Sequence, residues 1–140
     1  MRRAAAAAAL LLMLALPLAA DDLSAIQNVL DAQAAAWNRG DLRGYMDGYA
    51  KADTTTFVSG DTITRGWQTV FDRYTKKYDT RAKMGRLVFS DIDMETLNPE
   101  SVLVTGAWEL TRDADKPHGR FTLLFRKIGG RWRIVYDHSS

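Results

Sequence analysis

The apolar positions of the chain change period twice. Leu23, Ile26, Leu30, Ala34 and Trp37 recur at three- and four-residue spacing, with Gln33 among them, which predicts an amphipathic helix over 22–38. Asn38-Arg39-Gly40 stops it, Gly40 being suited to the left-handed position that closes a helix. Asp41 is placed to cap a short second helix with Leu42, Tyr45, Met46 and Tyr49 on one face. Residues 54–58 are then β-branched and aromatic, Ser59-Gly60-Asp61 makes a turn, and Thr62-Ile63-Thr64 follows as a second extended piece. Gly66 opens a third helix, whose Trp67, Val70, Phe71, Tyr74 and Tyr78 return to helical spacing.

Beyond this helix the pattern becomes that of strands, over 84–97, 101–112, 119–128 and 131–138. Asn98-Pro99-Glu100, the turn at 113–118 and Gly129-Gly130 separate them. Two glycines between "FTLLFRKI" and "RWRIVYDH" suit a tight primed hairpin turn. Helices first and a long antiparallel meander afterwards predict an α+β fold. Its shape is a cone-like cup, with three N-terminal helices packed on the concave side of a strongly curved antiparallel sheet.

The residues before this pattern read differently. Met1-Arg2-Arg3 is basic, 4–16 is an unbroken apolar run, and Pro17-Leu18-Ala19-Ala20 leads into Asp21-Asp22. This order predicts a secretory signal peptide over 1–20, cleaved after Ala20, and a single domain over 21–140. The apolar run is too short and too alanine-rich for a membrane span. The expected compartment is periplasmic or extracellular, in a bacterium.

Removing the leader alters the charge balance. The whole chain has 19 basic and 17 acidic residues; Arg2 and Arg3 leave with the leader and no acid does. The remainder is balanced and has no long block of like charge, so nucleic acid is not an expected partner. The absence of cysteine excludes disulfides, thiol nucleophiles, thiolate metal sites and a lipidated N-terminal cysteine. With 46% hydrophobic and 10% aromatic residues, the domain can bury a core and still line a cavity with rings.

Four stretches carry a resemblance to a known family: "AAAWNRGDLRGYMDGYA", "ITRGWQTVFDRY", "VTGAWEL" and the ending "GRFTLLFRKIGGRWRIVYDHSS". Together they resemble the NTF2-like superfamily, most of all its SnoaL-like, DUF4440-type branch, related to ketosteroid isomerase and to the calcium/calmodulin-dependent kinase association domain. The likeness covers almost all of 22–140. It implies an NTF2-like cone-shaped barrel with a pocket between helices and sheet, commonly a homodimer through the outer face of the sheet. Because the fold hosts isomerases, cyclases, hydrolases, binding modules and assembly domains, it does not by itself assign a function.

The last residues contain Asp137, His138 and Ser139 in a row. Neighbours on a strand face opposite ways, so these three cannot assemble as a hydrolytic triad. Alternation pairs His138 with Tyr136, and this face is expected to look into the cup. The resemblance also implies that the histidine stands at the edge of the pocket; the other reading is a histidine that ties the last strand to its neighbour. Glu109 lies on the face opposite Trp108 and Leu110. The resemblance implies that it gives the pocket a negative charge; the other reading is a pair with Arg120 or Arg126 across the hairpin.

The aromatic residues Trp37, Tyr45, Tyr49, Phe57, Trp67, Phe71 and Tyr74 either line the cavity or fill the core. Tyr45, Tyr49 and Asp53 lie in the half of the chain that ketosteroid isomerase chemistry would use, but they do not match its constellation one by one. Asp53 reads as a turn or cap residue, and no catalytic residue is assigned. Asp91, Asp93 and Glu95 alternate onto one strand face, the usual sign of a solvent side rather than of a cation site. No metal or cofactor is expected.

The expected ligand-binding set is therefore Trp37, Tyr45, Tyr49, Phe57, Trp67, Tyr74, Glu109, Tyr136 and His138. The leading expectation is an exported, homodimeric domain that holds a small organic molecule without a cofactor. One alternative is a cofactor-independent isomerase, cyclase or hydrolase; another is an oligomerisation or protein-interaction domain using the sheet face around Trp108.

Overall fold

The computed structural model describes residues 20–140. The leader expected over 1–20 lies, apart from Ala20, outside the described residues.

The first helix, α1 (Ala20–Asn38), buries Ile26, Leu30, Gln33, Ala36 and Trp37 along one stripe. Its first turn carries Asp21 and Asp22, where negative charge meets the positive end of the helix dipole. Asp22 also accepts hydrogen bonds from Lys127 Nζ and Trp132 Nε1, both at 3.0 Å, and so fastens α1 to the last hairpin. The second helix, α2 (Leu42–Met46), is capped as expected: Asp41 accepts from the Gly44 amide at 2.8 Å. Chain reversal at Gly66, with φ at +94°, leads into α3 (Trp67–Lys77). A single further turn, α4 (Arg81–Met84), has its cap on Thr80. Four residues are too few to display a helical period, and so the pattern does not announce it.

The strands are β1 (Thr56–Ser59), β2 (Thr62–Arg65), β3 (Arg86–Asn98), β4 (Ser101–Thr111), β5 (His118–Ile128) and β6 (Arg131–Ser139). They form one curved, unclosed sheet in the order β2-β1-β6-β5-β4-β3. The meander from β3 to β6 is antiparallel throughout. Gly129 and Gly130, with φ at +57° and +77°, supply the two left-handed residues that its last tight turn needs. One pairing departs from the all-antiparallel expectation. The β1–β2 hairpin joins the sheet by laying β1 parallel to β6, with Phe57 opposite Asp137 and Ser59 opposite Ser139.

Two bulges bend the meander. In β3 the register with β4 slips between Ser90 and Asp93, and Asp91 takes a left-handed φ of +52°. Asp91, Asp93 and Glu95 are all exposed, with Ile92 and Met94 packed inward between them, the solvent side that the sequence suggests; Asp91 pairs with Arg120 at 3.2 Å. In β6 the slip falls between two β5 neighbours. Leu124 opposes Tyr136 and Phe125 opposes Ile134, so Val135 is the extra residue. Before it Trp132 and Ile134 point into the core; after it Asp137 is buried while Tyr136 and His138 are exposed.

The core gathers Ile26, Leu30 and Met46 from the helices with Val102, Val104, Phe125 and Ile134 from the sheet, each less than 2% exposed. Asn38 stitches helix to sheet edge, donating to the Leu87 carbonyl and accepting from its amide. Among the described residues no helix is long and apolar enough to cross a membrane.

Candidate functional site

A cavity of about 120 Å³ lies between the helices and the concave face of the sheet. Strand alternation places its lower wall two residues at a time: Leu87 and Phe89 from β3, Trp108 and Leu110 from β4, Phe121 and Leu123 from β5. Phe57 and Ser59 from β1, with Asp137 and Ser139 from β6, complete the sheet side. Gln33 and Trp37 of α1, Tyr45 of α2, Tyr49 just beyond it, and Arg73, Tyr74, Lys77 and Tyr78 along one face of α3 close it from above.

The aromatic wall is a connected cluster. Trp37 meets Tyr45 and Tyr78 edge-on, with ring centroids 5.1 and 4.8 Å apart, and Tyr74 stands 5.7 Å from both Tyr45 and Phe57. The indole of Trp37 donates to the Met84 carbonyl at 3.0 Å, so its polar edge is already used and its face is what the cavity meets.

Asp137 is the polar centre. Its residue is 3% exposed, and no ion pair reaches it among the described residues. Tyr49 Oη donates to Oδ2 at 2.6 Å and Ser139 Oγ donates to Oδ1 at 2.6 Å. Burial pushes the carboxyl up to about 6, against the pull of these two bonds and of His138 nearby. Burial, and next the charge of Asp137, hold the Tyr45 and Tyr49 hydroxyls above their ordinary range, so both stay protonated. Tyr49 has one hydrogen and gives it to Asp137. The 3.3 Å contact between the two tyrosine hydroxyls then has Tyr45 as its donor. The result is a relay, Tyr45 to Tyr49 to Asp137, ending on an anion with lone pairs left over for a guest that donates a hydrogen bond.

Of the residues expected to bind ligand, Trp37, Tyr45, Tyr49, Phe57 and Tyr74 line the cavity. Four do not. Trp67 turns away from it, donating to the Met46 carbonyl at 2.8 Å and stacking on Phe71 at 5.4 Å, with Arg43 and Lys51 over its ring. Glu109 is exposed on the convex face opposite His118, and pairs with neither Arg120 nor Arg126. Tyr136, 43% exposed, and His138 are also on the convex side, because the bulge at Val135 reverses the alternation that would have brought them in. Trp108, expected on an outer assembly face, is on the concave face, its indole donating to the Ser140 carbonyl at 3.2 Å. Asp137 and Ser139 are thus site residues that simple alternation assigns to the wrong side. Arg73 and Lys77 had a visible signal, since each precedes a tyrosine on the aromatic face of α3. Among the described residues no three His, Cys, Asp or Glu side chains gather as a metal site.

Comparison with known proteins agrees with this architecture. Residues 26–140 match the family described as SnoaL-like domain. An NTF-2 like protein of unknown function from Shewanella oneidensis is 38% identical, with a TM-score of 0.82 over 85% of this chain and 98% of that one. A putative calcium/calmodulin dependent protein kinase II association domain from Xanthomonas campestris is 17% identical. Its TM-score is 0.66, over 82% of this chain and 84% of the other. A putative scytalone dehydratase from Novosphingobium aromaticivorans is 10% identical, with a TM-score of 0.71 over 85% and 83% of the two chains. At those identities the last two share the fold alone. No curated protein matches the chain.

Proposed function

The chain belongs to the SnoaL-like domain family, within the NTF2-like fold, and from that premise we propose that it binds a small organic molecule in the cavity between helices and sheet. The observation that carries this reading is Asp137, a carboxylate buried in an aromatic cavity wall without an ion-pair partner among the described residues. An unpaired buried carboxylate costs stability, and its orientation by two hydroxyls leaves acceptor capacity for a guest. The surrounding rings supply apolar contact, so no cofactor is invoked. The domain spans 21–140 in this reading, and residues 1–20 act as a leader that directs it to the periplasm or beyond.

The direct test is calorimetric titration of single-ring phenols and alcohols into the native protein and into Leu123→Trp, which fills the cavity from β5. Binding to the native protein that is lost in Leu123→Trp supports the reading. Binding that survives the filling puts the guest elsewhere and sinks it.

A second reading is favoured by the same carboxylate. With its pKa near 6 and a tyrosine relay behind it, Asp137 has the protonation behaviour of a general base at neutral pH. On this reading the domain is a cofactor-independent isomerase, cyclase or hydrolase, and Asp137→Asn abolishes turnover while leaving binding of a neutral inhibitor intact. A homodimer is proposed through the convex face, where Leu103, Leu124 and Tyr136 lie side by side across three strands.

A further inference from the structure

The cavity has unused positive charge on its solvent side and an unused acceptor within. Arg73 and Lys77, one turn apart on α3, both line it, and neither forms an ion pair among the described residues. Arg73 is half-buried and gives one guanidinium hydrogen to Thr64 Oγ1 at 2.9 Å, which leaves the rest of its donor fork available. Lys77 is exposed, with Nζ 5.3 Å from the ring centre of Tyr78, itself a lining residue. The nearest acid along this helix, Asp72, is occupied by Gln68 at 2.8 Å. Asp137, 3% exposed, is the innermost charge.

These placements constrain what can occupy the space. The guest must be small, because a cavity of about 120 Å³ is close to the roughly 150 Å³ that holds one benzene ring. Its middle must be apolar to suit Trp37, Tyr74, Phe121 and Leu123. Its inner end must donate a hydrogen bond, because Asp137 only accepts when ionised. Its outer end suits an anion, because neither cation there has an ion-pair partner among the described residues.

We infer that the ligand class is a single-ring hydroxylated organic acid, its carboxylate held by Arg73 and Lys77 and its hydroxyl donating to Asp137. This inference rests on the small-molecule reading above and adds the chemistry of both ends of the guest. The ring spans from the half-exposed guanidinium to the buried carboxylate, and the acid group stays where water still solvates it, so no buried ion pair has to form.

The experiment compares 4-hydroxybenzoate with its neutral analogue 4-hydroxybenzamide by calorimetry at pH 7.5 and low salt. The proteins are the native form, Arg73→Gln/Lys77→Gln and Leu123→Trp. The acid is expected to bind the native protein at least tenfold more tightly than the amide. The double variant is expected to lose that margin while binding the amide as before, which also shows that it is folded. If the amide matches or exceeds the acid on the native protein, or the double variant keeps the margin, the organic-acid inference is overturned and cavity binding stands. If neither compound binds, or both bind Leu123→Trp unchanged, the inference falls together with the cavity reading.

Discussion

Tyr49 Oη lies 2.6 Å from Asp137 Oδ2, and the two residues are 2% and 3% exposed. A phenol from the segment after α2 is thereby bonded to a carboxylate from the last strand, inside the cavity wall. The pair also sets how the protein responds to acid.

Asp137 is held near 6 against an ordinary value of 3.8. Between about pH 4 and 6 the unfolded chain has released this proton while the folded chain retains it, so stability falls as pH rises through that window and levels off above it. The contribution is on the order of 3 kcal/mol. In urea denaturation series, Asp137→Asn should lack this component. The stability difference between variant and native protein should therefore shift in favour of the variant from pH 4 to 7. A difference that stays constant over that range would show that Asp137 ionises as it does in the unfolded chain.

Tyr49→Phe removes one of the two hydroxyls that hold the anion. The carboxyl pKa should move above the native value, and the fold should lose about 1–3 kcal/mol for the poorly satisfied acceptor. Carbon-detected titration of the Asp137 carboxyl reads the first effect and thermal unfolding reads the second. An unchanged pKa would mean that the bond does not act on the charged form.

Much of this arrangement was open to reading from the pattern of residues, up to one position. The aromatic spacing of α1 and α3, the Asp41 cap and the Gly129-Gly130 turn are local, so sequence carries them. Trp67 is absent from the cavity wall for a different reason. Periodicity shows that it faces inward, but not that inward at that position means the carbonyl of Met46 rather than the cavity. Strand parity in β6 depends on how two chains register, and no local pattern marks Val135 as the residue left unpaired. Everything after it was consequently assigned to the opposite face, which concealed Asp137 and promoted His138.

Deleting Val135 should restore strict alternation without reversing it: Ile134 and Tyr136 become neighbours that face in and out, and Asp137 stays in the cavity wall. If the variant folds, its Asp137 should keep a pKa raised above the ordinary carboxylate value, and any ligand that depends on this carboxylate should still bind. Carbon-detected titration of the folded variant would contradict the bulge account if Asp137 fell to the ordinary carboxylate range.

His138→Ala should change stability by less than about 0.5 kcal/mol and leave ligand affinity within twofold, because the ring is outside the cavity. Tyr136→Glu, by contrast, should convert a homodimer to a monomer in light scattering while preserving ligand affinity. A large loss of binding in His138→Ala would return the histidine to the site. An unaltered mass in Tyr136→Glu would move any subunit contact off this face.

The unpaired Val135 divides β6 into two lengths that answer to different demands. Upstream, Trp132 and Ile134 are locked to α1 and to the backbone of Gly48 and Ala50. Downstream, Asp137 and Ser139 belong to the parallel ladder with β1 and line the cavity. Under the proposed reading, selectivity therefore resides in a short terminal cassette: exchanging Asp137 and Ser139 on one side of the kink leaves the contacts of Trp132 and Ile134 on the other side in place.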